Sequence, residues 1–311
     1  MSARKRAEKA FRQSIQAGRN GLQTIAGLAK VLLLADKGLT LPQRQHTAAV
    51  ILGNGPSLKE SFDKHPAFFK DKALFAVNHS PNSDYFFQFR PQNYVFFDSN
   101  LWLYDPQAHK GMYEAMDLTA ERLRRVDWPL SFYAPTDARN SAIVKGLVQD
   151  NPNIHMVYLN NVVVNGWKWV KYPVYRRLWG NPSFRNVVQV ALYISLLQQY
   201  PEVFIVGADH NFHQLLYVDE YNDVWMTHHH FYDQSVETAY RSKLEVKFHD
   251  FKNNIGQNLS AQGDAFLRYY DLNEFAQAQG VKVWNASERS FIDAFPRYRP
   301  DTGPVFPPPI E

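Results

Sequence analysis

A series of short, mainly apolar runs constrains this chain more than any other feature. They fall at 48–52 (AAVIL), 73–78 (ALFAVN), 94–98 (YVFFD), 130–134, 154–159, 203–206 (VFIV) and 281–285 (VKVWN). Runs this short, bounded by Gly, Pro or polar residues, read as buried strands. Between them lie segments of helical periodicity, the clearest at 186–199 and 260–279. Strands alternating with helices specify an α/β fold: a Rossmann-like, mainly parallel sheet with helices on both faces. Function in such sheets gathers at the carboxyl ends of the strands. Those ends carry Asn54, Asn78, Asp98, Asp209 and Asn285. One or two of these are expected as caps or Asx-turns; all of them together favour a ligand site.

The first run is followed by Gly53-Asn54-Gly55-Pro56-Ser57, which opens a helix. Glycines permit close backbone approach, and a helix start presents free N–H groups with partial positive charge. This outlines a nucleotide or phosphate site over Asn54, Gly55, Pro56 and Ser57, with a simple tight turn as the alternative. No GK[ST] follows the loop and no GxGxxG is present, so it is neither of the two common phosphate fingerprints. Ser57 with Glu60 three residues on reads as a helix cap.

A second polar strand end is Gly207-Ala208-Asp209-His210-Asn211-Phe212-His213. Downstream stand Asp223 and His228-His229-His230-Phe231-Tyr232. In an extended segment His228 and His230 share a side, so they and Asp209 could hold a metal. The pattern lacks HExxH, and acid–base use of a histidine of near-neutral pKa is the alternative.

The chain has no cysteine, which excludes disulfides, thiolate metal centres and a cysteine nucleophile. At 45% hydrophobic and 21% charged residues it belongs with globular rather than disordered chains. The net charge of +4 is unevenly spread. Residues 1–45 hold nine Lys/Arg against two acids, a balance of +7 that leaves −3 for the remainder. A nucleic-acid protein carries its basic residues on the folded body, so no nucleic-acid partner is expected. Within 1–45, Phe11, Ile15, Gly18, Leu22, Ile25, Ala29 and Leu32 recur at helical spacing. Such a stripe packs on its own domain, packs on a second subunit in a homo-oligomer, or contacts a membrane surface through residues 1–40. Gly18, Gly21 and Gly27 weaken the helix by about 1 kcal/mol each. No apolar run approaches the roughly 18 residues of a membrane span, and no secretory signal is visible. A cytoplasmic location is expected, with peripheral attachment at the inner membrane as a variant.

GNGPSL at 53–58, the helix start Asn186-Val187, VFIVGADHNF at 203–212, HHFYD at 229–233, and VKVWNAS at 281–287 with Phe295-Pro296-Arg297 occur in this order. Together they resemble the bacterial glycan-biosynthesis proteins of the 6-hydroxymethylpterin diphosphokinase MptE-like group. More distantly they resemble glycosyltransferase family 42, the bacterial sialyltransferases. The resemblance covers roughly residues 48–298. It implies a Rossmann-like catalytic domain over 46–298 with a lid; the basic helix over 1–45 and the Pro-rich extended tail over 299–311 lie outside it and are read from charge, periodicity and proline content. It also implies a CMP-activated sugar acid as donor, a glycan acceptor, and no required metal or cofactor. Asn54 to Ser57, Asn78, Asp98 and Asn186 would then lie along the donor. His230 would be the general base beside Asp209 and His210, and Tyr232 or Tyr221 would hold the leaving phosphate. The Arg-x-x-Ser-Gly element of family 42 is replaced by Asn181-Pro182-Ser183-Phe184-Arg185-Asn186. The Asp209-His210 pair follows the MptE-like pattern more closely. Trp102, Tyr104, Trp167, Trp169, Tyr172, Tyr175 and Trp179 suit a sugar-stacking surface, with half or more expected in the core. Mg²⁺-dependent diphosphate transfer from ATP, with Asp98, Asp209 and Asp223 as ligands, and non-catalytic binding of a sugar nucleotide are the alternatives.

Overall fold

The computed structural model describes residues 3–105, 107, 114–228, 240–243 and 254–306. In chain order the elements are α1 (Ala3–Leu34), β1 (Ala48–Leu52), α2 (Ser57–Lys64), β2 (Ala73–Val77), α3 (Asp84–Phe89), β3 (Asn93–Val95), α4 (Asn100–Leu103) and α5 (Glu114–Arg124). They continue as β4 (Leu130–Pro135), α6 (Ala142–Asp150), β5 (Ile154–Leu159), α7 (Lys168–Arg176), α8 (Val187–Leu197) and β6 (Glu202–Val206). Then come β7 (Leu216–Val218), β8 (Val224–His228), β9 (Tyr240–Lys243), α9 (Ile255–Gln277), β10 (Lys282–Asn285), β11 (Tyr298–Arg299) and β12 (Gly303–Pro304).

The central sheet has seven strands in the order β10-β6-β1-β2-β3-β4-β5. The pairings from β10 through β4 are parallel, with Ala49 opposite Ala73 and Leu52 opposite Val206. This is the expected Rossmann-like α/β architecture. Central parallel strands are covered on both faces, so β1 and β2 read as continuous apolar runs rather than alternating ones. Every residue of β2 is buried. On one face α8 packs across β1, β2 and β3. It is buried nearly all round, from Val188 to Leu196, which explains why its sequence is apolar on every side. Elsewhere, Leu58 and Phe62 of α2 form a core with Val50, Leu52, Phe204 and Val206.

The chain divides into two compact units: Met1–Leu41 with Pro135–Asp137 and Tyr158–Ser183, and the rest. In this division α1 shares its unit with 158–183, a segment the sequence reading placed in the catalytic domain. The reason is local. Thr24 Oγ1 accepts the Trp167 N–H at 2.9 Å, and Asn160 makes two side-chain bonds to the Asp36 backbone at 2.9 and 2.8 Å. The face that packs carries Thr24, Gly27 and Val31, all buried. The apolar stripe does not pack: Phe11, Ile15, Leu22, Ile25 and Leu32 are 57–73% exposed. Gly27 is needed for close approach, because a Cβ there would stand 3.0 Å from a Val164 methyl.

The expected extended tail is corrected over 299–304, while 307–311 lie outside the described residues. Residues 298–304 form an antiparallel hairpin, with Tyr298 opposite Pro304. The turn is closed by the Thr302 N–H to Arg299 O bond and by Gly303 at a φ of 85°. The Tyr298 ring packs edge-on against Phe204 at 4.9 Å.

Candidate functional site

β1 pairs with β2 on one side and with β6 on the other, so the chain connections diverge at the β1/β6 boundary. A parallel sheet opens a crevice at such a point, outside the carboxyl ends of the strands. Two loops meet there: 53–57 after β1 and 207–211 after β6.

They are bonded to each other. Gly53 N–H donates to Val206 O at 2.8 Å, and Gly55 N–H to Gly207 O at 2.8 Å. Leu58 N–H donates to Gly55 O at 3.0 Å. Ser57 donates from both its N–H and its Oγ to Asp209 Oδ2, at 3.2 and 2.8 Å. Pro56 has no N–H. The expected phosphate cradle is therefore narrowed: the donors of 53, 55, 57 and 58 are engaged within the protein. The glycines serve loop-to-loop packing. A Cβ on Gly55 would lie 2.0 Å from Asp209 Oδ2, and one on Gly53 2.4 Å from Gly207 O. Asp209 acts as the carboxylate partner of the α2 N-terminus. Burial pushes its pKa up, and the two Ser57 bonds oppose that shift.

Polar groups turned toward the strand ends are unmatched among the described residues. Asn54 Nδ2 donates to Val77 O at 3.1 Å, leaving its Oδ1 buried without a partner. Asn78 Oδ1, at the end of β2, is likewise buried without one. Asn78 has a left-handed φ of 43°, held by its own N–H to Val95 O and by the Tyr94 hydroxyl on its carbonyl at 2.6 Å. His210 is also left-handed, with a φ of 50°, and so is Gly207 at 68°.

His210 is not joined to Asp209 as a catalytic pair. Its Nε2 lies 2.8 Å from the Tyr269 hydroxyl and 3.3 Å from Asn186 Nδ2. Asn186 caps α8, its Oδ1 accepting from Gln189 N–H at 3.1 Å and from the Tyr269 hydroxyl at 3.1 Å. The Tyr269 hydroxyl has one proton to give, to Asn186 Oδ1 or to His210 Nε2, so the three side chains form one cluster that accommodates either tautomer of the ring. His210 keeps some surface exposure, but desolvation of its ring pushes the pKa down to about 4, so it is neutral at pH 7. Burial likewise raises the Tyr269 pKa, so its hydroxyl keeps its proton. Sequence reasoning missed Tyr269. It sits in α9 among residues of helical period, where an aromatic reads as core, and nothing local marks its hydroxyl.

The other expected residues separate from this cluster. Asp98 is exposed at the head of α4, its carbonyl accepting from Leu101 N–H. Asn285 is fully buried and structural, its Nδ2 on Ile292 O at 2.8 Å. His228 is the last residue of β8, paired with Tyr240. His229, His230 and Tyr232 lie outside the described residues. Among the described residues no group of three or more His, Asp or Glu converges as metal ligands. Next to Asn186, Arg185 lines an open cleft of about 960 Å³ with Gln257, Ser260 and Asp264. Of the aromatics expected to stack sugars, Tyr104, Tyr172 and Tyr175 are core, whereas Trp169 is 74% exposed.

No protein-family model matches this chain, and no curated protein matches its sequence.

Proposed function

We propose that this chain is a glycosyltransferase that binds a nucleotide-activated sugar, a CMP-linked sugar acid foremost, in the β1/β6 crevice and transfers the sugar to a glycan hydroxyl. The observation that carries this reading is the pair of orphaned acceptors, Asn54 Oδ1 and Asn78 Oδ1, at neighbouring strand ends. An unpaired buried acceptor costs about 1–3 kcal/mol, and a ligand rich in N–H and O–H donors removes that cost. A cytosine amine and sugar or ribose hydroxyls are such donors. The base in this reading is His230, which takes the acceptor proton as the hydroxyl oxygen bonds the anomeric carbon. The bond from that carbon to the phosphate oxygen breaks, and its electron pair leaves with the nucleotide.

Diphosphate transfer from ATP finds less support. It needs carboxylates gathered around Mg²⁺. Asp209 is bonded to Ser57, and Asp98 and Asp223 stand on separate elements.

Calorimetry with CMP, CDP, UDP and ATP, with and without Mg²⁺, separates the readings. CMP is expected to bind without Mg²⁺, and Asn78→Gly to weaken it at least tenfold while keeping the apo melting temperature, since glycine accepts this φ. Binding that requires Mg²⁺ and ATP overturns the proposal, as does unchanged CMP affinity in the variant. With a turnover assay in hand, His230→Ala should lose about 10²–10⁴-fold in kcat and keep nucleotide affinity.

A further inference from the structure

We propose that the exposed face of α1 docks on an anionic lipid surface. The helix is fixed in its own unit by the face bearing Thr24, Gly27 and Val31. On the opposite side Phe11, Ile15, Leu22, Ile25, Leu32 and Leu33 are 57–83% exposed. At about 1.5 Å per residue this apolar stripe runs for roughly 33 Å. An exposed patch of that extent marks an interaction surface.

The two flanks of the stripe identify the occupant. Along one, Arg12, Arg19 and Lys30 fall within about 20° of one another around the helix axis, and all are exposed. Long cationic side chains beside a buried apolar face extend to lipid phosphates. The other flank runs past Gly21, where a Cβ would touch the Trp167 ring at 3.3 Å. Trp167 stacks on Trp169 at 5.8 Å, and Trp167 and Trp169 are 37% and 74% exposed. Exposed tryptophan beside an apolar face is suited to the headgroup layer. Residues 1–45 carry +7 in a chain of +4, so the complement is anionic. Among the described residues no helix is long and apolar enough to cross a membrane, so the geometry points to a helix lying on the surface.

The test is sedimentation of the full chain with phosphatidylcholine vesicles, with and without about 30% phosphatidylglycerol. Binding is expected to be at least tenfold stronger to the anionic vesicles and to weaken with salt. Ile15→Gln with Leu22→Gln should abolish it with an unchanged melting temperature, because both side chains are exposed. Arg12→Gln with Arg19→Gln should reduce the preference for phosphatidylglycerol several-fold. Equal sedimentation of the parent and the Ile15/Leu22 variant overturns the proposal. So does a parent dimer by light scattering that the same variant converts to monomer while neither binds vesicles, since the face then covers a second copy.

Discussion

Glycine brings backbones together in two places, for different reasons and with different tolerance. At the β1/β6 crevice Gly53 and Gly55 face carbonyl and carboxylate oxygens of the loop at 207–209, and no Cβ fits. In α1, Gly27 faces a valine side chain that can yield slightly, and Gly18 faces open space. One region is locked by polar contacts that keep their length. At Gly27 the nearest neighbour is an apolar side chain that relaxes, although Thr24 on the same helix bonds the Trp167 N–H. The difference indicates where precision is required, and it coincides with the orphaned acceptors Asn54 and Asn78.

Substitution at these glycines tests that contrast directly. Gly55→Ala places a methyl 2.0 Å from Asp209 Oδ2 and should destabilise by roughly 3 kcal/mol or more, seen as loss of soluble protein or a large drop in urea midpoint. A normal midpoint would mean that the two loops are not locked. Gly55 is thus unsuitable as a probe of ligand contact, because the clash is with the protein itself.

Acid sharpens the comparison next. The His210 pKa is about 4 in the fold, against an ordinary value of 6.5. As pH falls the unfolded chain takes the proton first, so the contribution of this site is full above about 6.5 and lost progressively down to about 4. The loss reaches at most about 3 kcal/mol. Asp209, with its raised pKa, works in the opposite sense, since its folded form takes a proton more readily. His210→Asn, which tolerates the left-handed backbone, should flatten stability against pH between 6.5 and 4 relative to the parent. Parallel curves for the two proteins would mean the ring is not desolvated.

The smallest effects belong to α1. Gly27→Ala should cost about 1 kcal/mol as Val164 shifts, while Gly18→Ala should gain up to about 1 kcal/mol from helix propensity. Chemical denaturation of the two variants side by side checks this. The same sign for both would mean that only one of the two sites is as open, or as close-packed, as described.

The sheet was legible because buried parallel strands must be apolar throughout: 48–52, 73–77 and 203–206 declare themselves. So did the two loops that line the crevice. What the loops do was not legible. GNGPS reads as a phosphate cradle until Asp209, remote in sequence, takes the Ser57 donors. The His210 network needs a tyrosine hydroxyl from α9, and helical period cannot distinguish that ring from core. In α1 the apolar stripe was visible but not its exposure, because Thr24 and Gly27, which do the packing, carry no apolar signal. The meander β7-β8-β9 also went unread, its strands being short and mixed in polarity.

The position of β1 in the sheet bears on how the chain is made. Its first neighbour, β2, follows almost at once, with Ala49 opposite Ala73. Its second, β6, arrives only when Glu202 can reach Ala48, and Ser57 meets Asp209 across 152 residues of chain. Until then β1 is an open edge of five apolar residues with no lysine or proline to guard it. Contacts of such sequence separation form slowly, because closure entropy precedes any gain. A ribosome that has delivered only the first five strands therefore holds a sheet whose sticky margin is the strand carrying the first loop of the site. That nascent form, more than the finished protein, exposes an unpaired apolar strand edge.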